Sequence, residues 1–261
     1  MLRIRNILIF ITIVIFLTIT FSFVATKQND LVCNMVEVKI IDSAKNSFIQ
    51  PRDIQNLLYN KNIKLIGKNF KNINLKALEA ELNTFTPVEN AEIYKTSGGK
   101  VVVEIQQRNP IIRVYDVLNQ SYYIDDKGHM MRISGKYTSH VPVANGYISA
   151  PEDFKKSLNV LSLQRPGKRS VLAELYQLAQ FIEDHEFWKA QIQQIYVNNK
   201  HDFELIPRVG SHVILFGDIS NCEEKFNNLE SLYINGLNAV GWNKYETINL
   251  KYKGQVICTK R

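Results

Sequence analysis

The feature that most constrains this chain is an uncharged apolar run near its amino terminus. Residues 7–24 consist only of Ile, Leu, Val, Phe, Thr and Ser. As a helix, these eighteen residues would span about 27 Å, close to the ~30 Å hydrocarbon core of a bilayer. A helix of that length in a soluble core normally shows a polar face, and this run has none. We therefore expect a transmembrane helix over residues 7–25.

The charges before this run predict its orientation. Arg3 and Arg5 lie in a tail of residues 1–6, and positive charge favours the cytoplasmic side, so the rest of the chain would be exported. The alternative is a cleavable signal peptide. The run is longer than the apolar part of a usual signal peptide, however, and Phe23-Val24-Ala25 does not fit a small-x-small cleavage site. We expect a retained, single-pass anchor.

The segment after the anchor predicts a small α+β domain. Residues 35–42 alternate between apolar and charged side chains over most of their length, as in a half-buried strand. Pro51 suits the first position of a helix, and Asn74 suits the N-cap of a second helix. Strands at 88–95 and 100–106 follow. The order β-α-α-β-β places two helices on one face of a three-stranded sheet.

The remainder of the chain predicts a mixed α/β domain over residues 109–261, with an extended antiparallel sheet. Strands are expected at 111–116, 121–125, 129–133, 191–197, 203–208 and 212–216, and helices at 171–187 and 223–235. Asp125-Asp126-Lys127-Gly128 predicts a hairpin turn, and Gly236 is the expected end of the second helix.

The last segment shows an alternating pattern. Between residues 247 and 259 the even positions are Ile248, Leu250, Tyr252, Gly254, Val256 and Cys258, whereas the odd positions are polar except for Ile257. This pattern predicts one long strand, because a tight turn at Lys253-Gly254 would mix the two faces. A final strand with no strand after it leaves one edge of the sheet open.

No catalytic or metal-binding motif is found. The five histidines lack the H-x-x-x-H and H-E-x-x-H spacings, no G-x-S-x-G string occurs, and the three cysteines are isolated. The net charge of +7 is spread along the chain, without the basic block typical of nucleic-acid binding. We expect that the protein is not an enzyme and that it binds no cofactor, no metal and no nucleic acid.

The first domain resembles a known module. The order β-α-α-β-β and the size of residues 35–108 are similar to those of a POTRA domain, a protein-docking module of bacterial envelopes. The resemblance implies that an exposed sheet edge accepts a strand from neighbouring membrane proteins. The sequence leaves open whether residues 35–42 or 100–106 provide that edge.

Six short strings lie in one order along the second domain. They are Q-R-N-P at 107–110, Y-Y-I-D at 122–125, Y-T-S-H-V-P-V at 137–143, E-L-I-P-R-V-G at 204–210, G-W-N-K-Y at 241–245 and I-N-L-K-Y at 248–252. Together with the short tail, the single anchor and the POTRA-like module, they resemble the FtsQ/DivIB family of bitopic bacterial cell-division proteins. The resemblance covers nearly the whole chain.

This resemblance implies a function. It implies a non-enzymatic scaffold of the divisome, held in the inner membrane at the division septum, with the bulk of the chain periplasmic. The implied partners are bitopic coiled-coil division proteins of the FtsB/FtsL type, and other membrane division proteins at the POTRA-like domain. The alternative is a membrane-anchored envelope enzyme or a cell-wall polymer-binding protein, for which the positive charge would serve anionic polymers.

The resemblance also implies a partner site on the last strand. Lys251 would attract an acidic partner segment, Tyr252 would supply an apolar contact with a polar tip, and Gly254 would permit close approach. Leu250 and Val256 complete the expected site. In better-known members an aromatic residue follows the glycine-containing bend, whereas Q-V-I-C follows it here at 255–258.

Overall fold

The structure, a computed structural model, describes residues 9–20, 31–43, 46–133, 135–151 and 158–261. The chain divides into two units, Met1–Gln107 and Arg108–Arg261. Helix α1 covers residues 9–20, and the rest of the expected anchor lies outside the described residues. Of the helices described, none combines the length and the apolar character needed to span a bilayer.

The first unit has the predicted order of elements. After α1 these are β1 (Met35–Ile40), α2 (Pro51–Asn60), a 3₁₀ turn (Phe70–Asn72), α3 (Leu75–Asn83), β2 (Val88–Lys95) and β3 (Lys100–Gln107). The sheet order is β1-β3-β2, in which β3 pairs parallel with β1 and antiparallel with β2. The fold prediction is thus confirmed for this unit.

The sheet order decides between the two segments that the sequence left open as the edge. The segment with α2 and α3 connects β1 to β2 at the opposite edge of the sheet. The β2–β3 hairpin then places β3 between them, so β3 pairs with both other strands. Residues 100–106 therefore lie in the middle, and β1 and β2 are the edges of this sheet.

Local signals explain both helix starts. Pro51 is the first residue of α2, and the Asp53 carboxylate accepts a hydrogen bond from the Gln50 backbone N–H at 3.0 Å. The Asn74 side chain accepts from the Ala77 N–H at 3.1 Å, as predicted for an N-cap. These contacts satisfy backbone donors that a helix leaves unpaired at its start.

The second unit is built on a nine-stranded sheet within the described residues. Its elements are β4 (Pro110–Tyr115), β5 (Ser121–Asp125), β6 (Met130–Arg132), β7 (Val143–Gly146), α4 (Val171–Asp184), α5 (Glu186–Gln191), β8 (Ile192–Val197), β9 (Phe203–Pro207), β10 (Val213–Gly217), α6 (Cys222–Ser231), α7 (Asn238–Val240), β11 (Tyr245–Asn249) and β12 (Ile257–Lys260). The strand order is β12-β11-β10-β9-β8-β7-β4-β5-β6.

The sheet is mixed where an antiparallel one was expected. The pairs β4–β7, β7–β8 and β10–β11 are parallel, and the other pairs are antiparallel. Parallel neighbours require a crossover, which α4 and α5 supply between β7 and β8, and α6 supplies between β10 and β11. The four-residue strand β7 was not predicted, although it lies inside the sheet.

Two helix predictions need correction. The expected helix at 171–187 is two helices, because His185 has extended backbone angles between α4 and α5. The expected stop at Gly236 is also wrong. The chain passes through a π-helical segment, Leu232–Leu237, and α7, and it leaves the helix at Gly241, where φ is +96°.

Aromatic side chains fill the space between the helices and the sheet. Phe226 of α6 packs on Trp188 and Phe216, with ring centroids 5.0 and 5.1 Å apart. Tyr122 and Tyr123 are both buried, although successive strand residues point to opposite faces. Both faces of β5 are therefore covered, consistent with a layered α/β domain.

Candidate partner-docking site

The chain reverses between β11 and β12. The two strands pair antiparallel, with Ile248 opposite Cys258 and Asn249 opposite Ile257. The predicted single strand over 247–259 is therefore wrong. The seven connecting residues, 250–256, are an odd number, so residues of the same parity lie opposite each other. A period-2 pattern stays in phase through such a reversal, whereas a two-residue turn would break it.

The connection between the strands is held by hydrogen bonds. The Leu250 N–H donates to the Leu215 carbonyl at 3.0 Å, and the Lys251 N–H donates to the Asn249 side chain at 3.0 Å. The Gln255 N–H donates to the Tyr252 carbonyl at 3.2 Å. A defined loop, rather than a continuous strand, therefore presents the expected site residues.

The five expected site residues fall into two groups. Leu250 is buried in the core, and Val256 is half-buried against it. Lys251, Tyr252 and Gly254 are exposed, and Tyr252 has 55% of its surface open to solvent. Only the second group is exposed enough to contact another protein.

The backbone conformation explains why this loop has a glycine at position 254. Gly254 has φ of +66°, a backbone conformation that side-chain-bearing residues rarely adopt. A Cβ built at this position would meet no atom within 4 Å. Within the chain, the turn requires this glycine for its backbone angle and not for close packing.

The Lys251 ammonium already has an acidic partner within the chain. Its Nζ lies 2.6 Å from Asp202 Oδ2, and its aliphatic stem lies against Gly217. The Arg169 guanidinium lies 4.0 Å from the other Asp202 oxygen. Any acidic partner of Lys251 must therefore compete with Asp202, which lies between two cations.

Strand β12 is the terminal strand of the described sheet, and only β11 pairs with it there. A terminal strand presents unpaired N–H and C=O groups along its outer side. Ile257 on this strand is 44% exposed. In the sequence, Ile257 is the exception among the polar odd positions. An apolar residue on an otherwise polar face was the signal for an exposed contact residue.

A small cleft adjoins the loop. It is lined by Tyr252 and Gly254 from the loop and by Asn221, Glu224 and Lys225 from the start of α6 and the residue before it. The Lys225 Nζ is engaged, because it donates to the Asp218 carbonyl at 2.8 Å and lies 4.8 Å from the Phe216 ring centroid. The cleft is therefore a polar recess beside the edge.

The thiols near this region do not have the character of nucleophiles. Burial raises the pKa of the Cys222 thiol to about 12, and burial also raises the pKa of Cys258. A thiol that stays protonated at neutral pH neither attacks substrates nor binds metals well. In the parts of the chain that the structure describes, no three His, Cys, Asp or Glu side chains form a metal-binding group.

Comparison with known proteins agrees with this architecture. The fold defines a two-module protein, a POTRA-like domain followed by a mixed-sheet domain with an open edge strand. A family model described as POTRA-like domain matches residues 31–106, and one described as FtsQ/DivIB, C-terminal related, matches residues 109–259. The chain belongs to the FtsQ/DivIB family, and this membership indicates a role in cell division. No curated protein matches the chain.

Proposed function

We propose that this protein is a non-enzymatic scaffold of the divisome that docks a bitopic division protein of the FtsB/FtsL type along β12. The observation that carries the proposal is the position of β12 at the end of the sheet, with Ile257 exposed on the strand and Tyr252 exposed on the adjoining loop. A partner strand would extend the sheet by main-chain hydrogen bonds, and side-chain contacts would supply specificity.

The charge of this region favours an acidic partner segment. Residues 251–261 contain Lys251, Lys253, Lys260 and Arg261, and no acidic residue. Complementary charge raises the association rate and selects among partners. An extended segment that combines acidic and apolar side chains would therefore suit the β12 edge.

The anchor is proposed from the sequence and from α1 together. The side chains of Phe10 and Phe16 are 67% and 65% exposed, and the described helix has no charged residue. Burying such a surface in a bilayer is favourable at about 25 cal/mol per Å² of apolar area. We therefore assign residues 1–6 to the cytoplasm, 7–25 to the inner membrane, and domains 35–108 and 109–261 to the periplasm at the septum.

A capture experiment tests the docking proposal. The full chain in detergent is titrated with the periplasmic segment of a coiled-coil division protein, and Ile257→Glu is compared with Leu118→Glu. Leu118 is 73% exposed and lies between β4 and β5, at the other end of the sheet. We expect Ile257→Glu to weaken binding about tenfold or more, or about 1.4 kcal/mol, and Leu118→Glu to leave it unchanged. Equal Kd values for the two variants, with both folded, would overturn the proposal.

Two further experiments test the other modules. Protease added to spheroplasts is expected to digest almost the whole chain, and a soluble mature species beginning near residue 26 would contradict the retained anchor.

A chain lacking residues 36–106 is expected to localise poorly, because the POTRA-like domain is proposed to contact other membrane division proteins. Normal division by that variant would remove this part of the proposal.

A second candidate function is binding of cell-wall polymers. The observation in its favour is a polar cleft lined by His140, Lys189 and Arg208, which would suit an anionic polymer. Binding of wall fragments by the full chain, lost in Arg208→Gln and unaffected by Ile257→Glu, would support this candidate. Capture of division proteins without binding of wall fragments would exclude it.

A further inference from the structure

One stretch of the first unit is rich in positive charge. Residues 54–78, from α2 into α3, contain five lysines and no acidic residue. The lysines are Lys61, Lys64, Lys68, Lys71 and Lys76, and all five are exposed. Lys61 pairs with Glu81 at 2.8 Å, so part of its charge is already neutralised. Residues 54–78 themselves carry a formal charge of +5, from five lysines and no acidic residue.

Two large apolar side chains stand among these lysines. Tyr59 is 78% exposed and Ile66 is 65% exposed, and together with Lys64 they line one groove beside β1. Their neighbours Leu58 and Leu65 are buried, so the backbone is fixed and turns Tyr59 and Ile66 outward. We call residues 59–68 the lysine-rich surface.

We propose that the lysine-rich surface binds the anionic lipid headgroups of the bilayer in which the chain is anchored. Tyrosine places an apolar ring and a polar tip at a membrane interface, and lysine stems lie along apolar surface while their ammonium groups reach phosphate. Apolar tips surrounded by cations are typical of proteins that lie on anionic membranes.

The length of the tether favours the bilayer over other occupants. Residue 20, the last described residue of α1, and residue 31 are eleven Cα steps apart, which span at most about 40 Å when fully extended. Once α1 is in the membrane, residue 31, which precedes the β-α-α-β-β domain, stays within that distance of residue 20. This inference rests on the proposed anchor, and it adds a binding surface that the docking proposal does not contain.

Photo-crosslinking in vesicles tests the inference. The full chain, with benzoylphenylalanine in place of Ile66, is reconstituted into phosphatidylcholine vesicles or into an equal mixture of phosphatidylcholine and phosphatidylglycerol. The matched control carries the probe in place of Tyr94, which is 40% exposed on β2 of the same unit. We expect lipid adducts at position 66, more in the anionic vesicles, and few at position 94. Equal yields at the two positions, or equal yields in the two vesicle types, would overturn the inference.

Removal of charge provides a second test. Lys64→Gln with Lys68→Gln is expected to weaken lipid binding by about 25-fold and to lower the adduct yield at position 66 accordingly, because each lysine near an anionic surface contributes about fivefold. Lys200→Gln with Lys244→Gln, in the second unit, is the control and should leave the yield unchanged. An equal loss in both double variants would also overturn the inference.

Carbonate extraction distinguishes the two proposals. If the chain stays with the vesicles but forms no adducts at position 66, the proposed anchor stands and only the inference of lipid binding by the lysine-rich surface is overturned. A chain released by carbonate overturns the anchor, and with it the tether on which the lipid contact depends.

Discussion

The Arg108 guanidinium lies 2.8 Å from the Asp125 carboxylate, and both side chains are almost fully buried. The second Asp125 oxygen accepts hydrogen bonds from the backbone N–H groups of Lys127 and His129, at 3.0 and 2.6 Å. One carboxylate therefore holds the start of the second unit and the turn between β5 and β6. Two of the family-like strings, Q-R-N-P and Y-Y-I-D, contribute the two charges.

This pair gives a first prediction. Asp125→Asn should lower the free energy of unfolding by about 3–5 kcal/mol, because it removes the negative charge that lies 2.8 Å from the buried Arg108 guanidinium. Urea denaturation of the purified chain measures the loss. Glu186→Gln, at an exposed position, should change it by less than about 0.5 kcal/mol. Adding Arg108→Met to Asp125→Asn should recover part of the loss, and a purely additive further loss would contradict the coupling.

Two glycines give a second prediction. Gly146 has φ of +102°, and a Cβ there would overlap the Val197 carbonyl oxygen on the paired strand β8. Gly146→Ala should therefore cost at least about 3 kcal/mol, because β7 and β8 must separate. Gly254→Ala, where the space is open, should cost only the backbone strain of about 1–2 kcal/mol. Urea midpoints in the reverse order would contradict this explanation.

The Lys251–Asp202 ion pair gives a third prediction. Asp202→Asn releases the Lys251 ammonium and should strengthen capture of an acidic partner by about threefold to fivefold, whereas Lys251→Met should weaken it by a similar factor. Titrations at low and high salt measure both effects, which should shrink as salt rises. Asp184→Asn, at an exposed site on α4, is the control for lost negative charge. Weaker capture by Asp202→Asn would contradict the prediction and would show that the Lys251–Asp202 ion pair is needed to hold the loop in its binding conformation.

Lys251→Glu should have two effects. The new carboxylate at position 251 would repel the Asp202 carboxylate, and it would also repel an acidic partner. The Lys251 side chain contacts Asp202, so a small loss of stability should accompany the loss of capture. Thermal unfolding of the variant separates the two effects.

His212 gives a prediction about pH. Its ring is buried, Nε2 lies 2.9 Å from the Tyr233 hydroxyl, and burial lowers its pKa below the ordinary 6.5. The unfolded chain therefore binds a proton at a higher pH than the folded chain does. The contribution of His212 to stability is complete above about pH 6.5 and decreases as the pH falls toward the folded pKa. The Tm should fall between pH 7 and 5, and His212→Gln should show a shallower fall. Identical slopes would contradict a role for His212.

Local chemistry was readable from the sequence. Pro51 and Asn74 mark helix starts because a fixed φ and a side-chain acceptor act within three residues. The turn from Asp125 to Gly128 was readable for the same reason, since the Gly128 N–H donates to the Asp125 carbonyl within the turn. The order of elements in the first unit followed from such signals, whereas the family resemblance rested on six short strings in one order along the second domain.

The tertiary structure decided what depends on distant partners. The alternation after Thr247 determined which side chains share a face, but it is the same for one strand and for a hairpin with an odd connection, so only pairing with β11 shows the reversal. Strand β7 has too few residues for a pattern and exists because β4 and β8 pair with it. Lys251 and Asp202 are 49 positions apart, and no periodicity links them. Hydrogen bonds and ion pairs between distant segments depend on how the chain packs, and a linear pattern records only which residues are apolar.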